Sequence, residues 1–163
     1  MDIIVIIGIL GSFASIYGAY KSINAKNEAE SSAEIAESAK NEVLKKQKTT
    51  SLTGIMFEAK KTQQIFGKYS IAQSNQSLVG VKFDKDSENL QNFIFQFSEN
   101  REMIKQNTEL ETETTYKSLN ELLTDFSGAK SKGDRKDYGK QIRLIIDDII
   151  FKLRKSIDSR NEE

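Results

Sequence analysis

The side chains that most often carry out catalysis are scarce in this chain. Its 163 residues include no histidine and no cysteine, which excludes imidazole acid–base chemistry, thiol nucleophiles, disulfides and the usual zinc sites. Acidic and basic residues number 24 each, so the formal net charge is zero. No global electrostatic attraction to nucleic acid is therefore expected, and a charged ligand would need a local cluster of residues.

Two groups of carboxylates could form a catalytic pair or a metal site, but their spacing argues against both. Asp147 and Asp148 are neighbours on a predicted helix, where about 100° separates adjacent side chains, so the two carboxylates do not converge. Glu109, Glu111 and Glu113 are spread around a helix and suit its positive N-terminal end instead. We therefore predict a protein that is not an enzyme and that has no metal and no cofactor.

The basic residues are distributed less evenly, and they are the candidates for binding a ligand. Lysines lie on the first predicted bundle helix and around the last loop, whereas the segment from Asp84 to Asp125 is net acidic. Such polarity is compatible with binding of a nucleotide or RNA, with contacts between subunits, and with an ordinary solvated surface. The candidate ligand-binding residues are Lys60, Lys61, Lys132, Arg135, Lys136 and Arg154. Gly128 and Gly133 lack the spacing of a phosphate-binding loop.

Helices must position these residues, because the chain contains no proline and is rich in helix-forming residues. We predict an all-α fold with three parts, namely a transmembrane anchor at residues 1–20, a helical stalk at 21–48 and a cytosolic four-helix bundle at 49–163. In the bundle, large apolar residues recur at helical spacing from Leu52, Leu90, Tyr116 and Tyr138 onward. Asp84 or Asp86 is predicted to cap the second bundle helix, whose core positions include Arg101.

The first of these parts is predicted to span a membrane. Residues 3–20 carry no charge and, as a helix, would be about 27 Å long, close to the thickness of the hydrocarbon core. Asp2 rather than a basic residue precedes the segment, and bulky tyrosines close it, which favours an uncleaved anchor over a secretory signal. Lys21 and Lys26 follow it, so the positive-inside rule places the rest of the chain in the cytoplasm. The alternative is a buried helix of a soluble protein.

A row of small residues with alternating three- and four-residue spacing crosses the end of this segment. We call it the seam, and it is predicted to be an oligomerisation surface. Its members are Gly8, Gly11, Ser15, Gly18, Ser22, Ala25, Ala29, Ser32, Ala36 and Ala39. Small residues let helices approach closely within a bilayer, and the 3.5-residue repeat favours parallel left-handed packing outside it. A solvated spacer, a dimer and a ring with a narrow central passage all remain open.

The predicted arrangement resembles small membrane-anchored accessory proteins of bacterial phage defence. These include the CRISPR-associated membrane proteins that work beside the RNA-guided RNase of type VI-B systems. The resemblance covers most of the chain and implies a degenerate HEPN bundle and assembly into a membrane pore. HEPN ribonucleases carry an arginine followed several residues later by histidine. Here Arg154 lies in LRKSIDS, where Ser159 or another residue replaces the histidine, which argues against RNA cleavage.

The first functional hypothesis is thus a homo-oligomeric membrane protein, pore-forming or membrane-perturbing, that acts in phage defence. Its predicted partners are membrane lipid, other copies of the chain and a cytosolic protein, with nucleic acid or a nucleotide left open. A monomeric or dimeric anchor that tethers a cytosolic complex is the second hypothesis. A HEPN-like RNA-binding protein or nuclease is the third.

Overall fold

The prediction of an all-α fold is confirmed. The computed structural model describes residues 3–72, 74 and 78–161, and over these ranges it contains five helices and no strand. The helices are α1 (Ile3–Ile71), α2 (Phe83–Glu99), α3 (Arg101–Asn107), α4 (Thr112–Gly128) and α5 (Lys132–Asn161). Side chains are described for residues 18, 19, 21–72, 74 and 78–160.

The chain divides into two compact units, Met1–Lys46 and Gln47–Glu163. In the first unit, every side chain from residue 21 to residue 44 is exposed. No helix in the described part of the chain is apolar over a long enough stretch to cross a membrane. The predicted anchor at residues 1–20 lies outside the described side chains except at Gly18 and Ala19.

The second unit is a helical bundle with a continuous apolar core. The large residues predicted to face inward on α1 are buried, with Leu52, Phe66 and Tyr69 at most 1% exposed. Most of the predicted core positions of α2 and α5 are also buried, including Phe97 and Ile146 at 0% exposure, whereas Tyr138 and Ile145 are half-buried. Burial follows the 3.6-residue period because each helix presents one apolar stripe to the others. Spacing therefore predicts most of the core, but not Leu78 and Leu110, which are also buried.

Four aromatic rings fill one end of this core. Phe126 of α4 contacts Phe66 and Tyr69 of α1, with ring centroids 5.4 and 5.3 Å apart and edge-to-face geometry. Phe83, the first residue of α2, lies 6.3 Å from both Tyr69 and Phe126. Edge-to-face pairs place the positive edge of one ring against the negative face of another. The rings thereby connect α1, α2 and α4.

A glycine brings α5 close to this aromatic cluster. Gly139 is buried, and a Cβ atom built on it would lie 2.5 Å from Cγ of Tyr69. That separation is shorter than a van der Waals contact between carbon atoms. Any side chain at position 139 would therefore push α5 and α1 apart.

Two details of the predicted second bundle helix are wrong. The helix was expected to continue past Arg101 with that residue in the core, but α2 ends at Glu99 and Arg101 begins the short helix α3. The Arg101 side chain is half-buried because it stacks 4.9 Å above the Tyr116 ring and donates to Glu113 at 2.8 Å. An arginine at a core-spaced position is here a cation–π and ion-pair residue.

The predicted helix caps are also corrected. Lys82 occupies the N-cap position of α2 without a side-chain hydrogen bond, and neither Asp84 nor Asp86 serves as the cap. Thr108 is of a type that often starts a helix, but here it ends α3, and its hydroxyl donates to the carbonyl of Ile104 at 2.8 Å. The following helix starts at Thr112.

Candidate assembly surface and ligand sites

The described members of the seam all lie on an exposed helix surface. They are Gly18, Ser22, Ala25, Ala29, Ser32, Ala36 and Ala39. Gly8, Gly11 and Ser15 fall outside the described side chains. Larger apolar residues near the seam are exposed as well, with Ile23 at 58%, Ile35 at 67% and Val43 at 53%. This part of α1 therefore presents apolar and small side chains that no residue of its own unit covers.

Polar side chains on and beyond the seam have partners within the same helix. The Ser32 hydroxyl donates to the carbonyl of Glu28 at 2.8 Å, and Lys46 forms an ion pair with Glu42 at 2.6 Å. The hydrogen bond and charge of Lys46 lower the pKa of the Glu42 carboxyl. Because these partners lie one turn apart on one helix, they hold without any contact to a second chain.

Three predicted ligand residues lie together at the start of α5. Lys132, Arg135 and Lys136 occupy its first two turns. Arg135 is already engaged, since its Nε donates to the carbonyl of Ala129 at 2.9 Å and its guanidinium lies 4.5 Å above the Phe83 ring. Its main contacts therefore join the α4–α5 loop to α2.

The other predicted ligand residues lie elsewhere. Arg154 is exposed on α5, about 28 Å along the helix from Arg135 at a rise of about 1.5 Å per residue. Lys60 and Lys61 are on α1, where Lys61 forms an ion pair with Glu58 at 3.4 Å. The six residues are therefore distributed over three places and do not form one basic site.

Four of the five carboxylates considered for catalysis have a partner of their own, Glu113 through the bond from Arg101 described above. Gln63 of α1 donates to Asp147 at 2.6 Å, and Lys152 forms an ion pair with Asp148 at 3.1 Å. Lys155 donates to both oxygens of Glu109 at 2.8 and 2.9 Å, and this hydrogen bond and charge lower the pKa of Glu109. Among the described residues, no three potential metal ligands lie together.

A buried polar cluster near the aromatic rings was missed by the sequence analysis. The Tyr69 hydroxyl donates to Asp86, whose side chain also pairs with Lys68 at 2.6 Å between Nζ and Oδ2. Asp86 is only 5% exposed. Burial, the hydrogen bond to Asp86 and the charge of Asp86 raise the pKa of Tyr69 above its usual 10.0. This cluster fixes the end of α1 against the start of α2.

A polar groove lies between α1 and α2. It encloses about 240 Å³, and its residues alternate between amide, charged and apolar side chains. Its lining includes Glu58, Lys61, Ile65, Asn92, Phe93, Phe95 and Gln96. Lys61 is the predicted ligand residue that lines the groove. The amides gave no signal in the sequence because Asn and Gln on a helix surface are common.

Comparisons with known proteins do not assign the chain to a family. No protein-family model matches it, and no curated protein or solved structure does.

Proposed function

We propose that the chain is a non-enzymatic membrane protein of the cytoplasmic membrane that acts as a homo-oligomer. Residues 3–20 anchor it, the seam on α1 joins neighbouring copies, and the helical bundle of residues 47–163 receives a signal from a cytosolic partner. The activity is pore formation or perturbation of the membrane in defence against phage. That last role is supported by the resemblance in architecture described above.

The exposed surface of α1 is the observation that carries the proposal. From residue 21 to residue 44, α1 has no buried side chain. Most of the stability of helices in proteins comes from the packing of one face against other elements rather than from helix propensity. Here Ile23 and Ile35 are more than half exposed, and the small residues form one continuous row. Association with other copies would cover that row.

The membrane assignment is supported by the sequence of residues 3–20. This segment contains no charged residue, and a helix of its length matches the hydrocarbon core. Gly and Ser recur in it with the same spacing as in the exposed part of α1. In lipid, close packing of such residues is a main source of association between helices. The seam is therefore suited to helix association both in the lipid bilayer and in water.

The assembly is tested with charged substitutions on the seam. Ala29→Lys combined with Ala36→Lys places like charges at a close parallel interface and should dissociate the oligomer. The matched control is Asn27→Lys with Asn41→Lys, which adds the same charge on the opposite side of the helix. Both variants are purified as full-length protein in detergent and measured by mass photometry and chemical crosslinking. Equal dissociation of both, or a monomeric parent protein, contradicts the proposal.

The membrane anchor is tested by fractionation. We expect the full-length protein to remain in membranes after washing with high salt or carbonate and to dissolve in detergent. A reporter fused after residue 163 should be cytoplasmic. Recovery of the unchanged protein in the soluble fraction contradicts the anchor.

The pore is tested separately, because an oligomer need not conduct ions. Purified protein is reconstituted in liposomes that contain a fluorescent indicator, and ion leakage is recorded. We expect leakage from the parent protein and less from Ala29→Lys/Ala36→Lys. A stable oligomer without leakage removes the pore and leaves the assembly.

A further inference from the structure

We propose that neighbouring copies of the chain also meet through their bundles, with α2 of one copy docked against α1 and α5 of the next. This inference rests on the homo-oligomer proposed above, and it names the two bundle surfaces that come into contact. The first surface, the basic face, comprises Phe57 of α1 and Lys140, Leu144, Phe151 and Arg154 of α5. The second surface, the acidic strip, comprises Asp84, Glu88, Phe95 and Glu99 of α2.

The two halves of the bundle carry opposite charge. Residues 84–125, which include most of α2 and α4, contain ten acidic and four basic residues. Residues 47–71 of α1 together with α5 contain six acidic and thirteen basic residues. Some of this charge is paired inside one bundle, as between Lys155 and Glu109 at 2.8 Å. The charges that stay exposed attract the opposite half of another copy.

Two unpaired cations lie along the edge of α5 that faces α1. Asp147 marks this edge, because it accepts a hydrogen bond from Gln63 of α1 at 2.6 Å. Lys140 and Arg154 lie seven residues before and after Asp147, so helical spacing places them along the same edge. Both side chains are exposed, and neither has an ion-pair or hydrogen-bond partner in the described part of the chain.

Exposed apolar side chains lie beside these cations. Leu144 and Phe151 of α5 are 57% and 66% exposed, and Phe57 of α1 is 66% exposed. Phe57 lies six residues before Gln63, and Phe151 lies four residues after its partner Asp147. Because α1 and α5 are antiparallel, the two rings are level to within about 3 Å. A face of this kind suits a partner that is both apolar and acidic.

The acidic strip of α2 has that complementary composition. Asp84, Glu88, Phe95 and Glu99 recur at intervals of four and seven residues, so they lie on one side of the helix. All four are exposed, with Phe95 at 63%. Among the described residues, none pairs with these three carboxylates. Asp86, in contrast, is buried and already bonded to Tyr69.

Two hydrogen bonds fix the heights of these surfaces relative to α1. Gln63 bonds to Asp147 of α5, and Tyr69 bonds to Asp86 of α2. Both neighbours run antiparallel to α1, since Gly139 of α5 also lies against Tyr69 and residues 89–96 of α2 line one groove with residues 58–65. At about 1.5 Å per residue, the level of any position on α2 or α5 follows from these bonds.

The two surfaces match when copies stand side by side. In the proposed oligomer every copy is anchored in the same membrane, so equivalent residues lie at the same height. Three pairs of residues are then level to within about 3 Å, namely Glu99 with Arg154, Phe95 with Phe151, and Asp84 with Lys140. Each carboxylate meets a cation, and an aromatic pair lies between them. Contact between two different surfaces of the same chain is the kind that closes into rings.

Reversal of charge and its repair test this contact. Lys140→Glu combined with Arg154→Glu should weaken association at least tenfold, because like charges then face each other. Asp84→Lys combined with Glu99→Lys should do the same. The variant with all four substitutions should recover most of the association, since each pair is again opposite in charge. Association is measured by mass photometry over a dilution series of full-length protein in detergent.

The control makes the same change of charge elsewhere. Lys105→Glu combined with Lys117→Glu alters exposed positions of α3 and α4 and should leave association unchanged. Hydrogen exchange in α5 shows whether each variant is folded. An equal loss in the control, or no recovery with four substitutions, overturns the proposal. Weaker binding of Lys140→Glu/Arg154→Glu to phosphatidylglycerol vesicles, with the oligomer intact, assigns the basic face to lipid and also overturns it.

Crosslinking identifies the partner surface, because the chain contains no cysteine. A short bismaleimide should join Glu99→Cys protein to co-expressed Arg154→Cys protein, but not to Lys117→Cys protein. If this crosslink and the charge repair both fail while Ala29→Lys/Ala36→Lys still dissociates the oligomer, the contact is wrong and the function proposed above stands. If both succeed while that variant stays associated, the contact stands and the seam is lost.

Discussion

Residues 21–44 and residues 52–69 belong to the same helix, yet their side chains have opposite surroundings. In the first stretch small residues form the seam, and none of its side chains is buried. In the second, large residues such as Leu52 and Phe66 recur at helical spacing and are completely buried. Both stretches are thus helical, and they differ in the size of the side chains that recur along them. Large residues bury enough surface within one chain, whereas small residues gain contact only when another helix approaches closely.

The largest effect that we expect tests the packed stretch. Phe66→Ala removes a ring that contacts Phe126 and Tyr69, and it should lower the free energy of unfolding by about 3–5 kcal/mol. Phe57→Ala removes the same group from an exposed position on the same helix and should change it by less than about 0.5 kcal/mol. Hydrogen exchange of amides in α2, α4 and α5 measures both. Similar losses for the two variants would contradict the comparison.

A second test uses two glycines of the bundle. Gly139→Ala should destabilise the bundle by about 1–3 kcal/mol, because the added methyl group overlaps the Tyr69 ring. Gly67→Ala places its methyl group where no atom lies within 4 Å, so helix propensity should stabilise the protein by about 0.5–1 kcal/mol. Thermal unfolding of the full-length variants shows whether each substitution lowers or raises the stability. Stabilisation by Gly139→Ala would contradict the close contact between α5 and the Tyr69 ring of α1.

The buried cluster around Tyr69 predicts a dependence on pH. Because the pKa of Tyr69 is raised above its usual 10.0 in the folded protein, the unfolded chain loses this proton first as the pH rises. The protonated Tyr69 therefore makes its full contribution to the free energy of unfolding below pH 10. Above pH 10 this contribution should fall by about 1.4 kcal/mol per pH unit, until Tyr69 of the folded protein also ionises. Asp86, Lys68 and Arg135 face the ring. Tyr69→Phe should flatten the slope between pH 10 and 11, and an unchanged slope would contradict the assignment.

The smallest effect is expected in the exposed stretch. Ile23→Ala with Ile35→Ala removes side chains that are more than half exposed. The free energy of unfolding of the bundle should change by less than about 0.5 kcal/mol. Hydrogen exchange in α5 and mass photometry are recorded on the same sample. A large loss of protection in α5 would mean that the two stretches are less separate than their burial indicates.

The sequence predicts the features that depend on local periodicity. The all-α fold and the main buried positions of α1, α2 and α5 follow from the spacing of large apolar residues. The end of α2 was missed because Glu99 and Asn100 precede Arg101 without proline or glycine. The role of Asp86 was missed because its partners, Lys68 and Tyr69, lie on another helix. An aspartate near the start of a helix is predicted from the sequence to cap that helix. Its pairing with Lys68 and Tyr69 depends on how the helices pack, which the sequence pattern does not show.

The candidate sites also differ in whether they depend on local periodicity or on the packing of helices. The seam is periodic and therefore visible in the sequence, although association between chains remains a prediction. The groove depends on the distance between α1 and α2, so Asn92 and Gln96 could not be distinguished from other surface amides. Lys60, Lys61, Lys132, Arg135, Lys136 and Arg154 were selected by charge alone. The structure separates them, because charge in a sequence carries no information about which helices become neighbours.

The contact between Gly139 and Tyr69 also affects the order in which the bundle forms. These residues are about 70 positions apart, and closing so long a loop costs more entropy than joining α4 to α5. We therefore expect α4 and α5 to pair early and α5 to dock on α1 late. A substitution at Gly139 should then accelerate unfolding and leave the rate of folding almost unchanged. The absence of a side chain at Gly139 would thus lengthen the lifetime of the closed bundle rather than speed its formation.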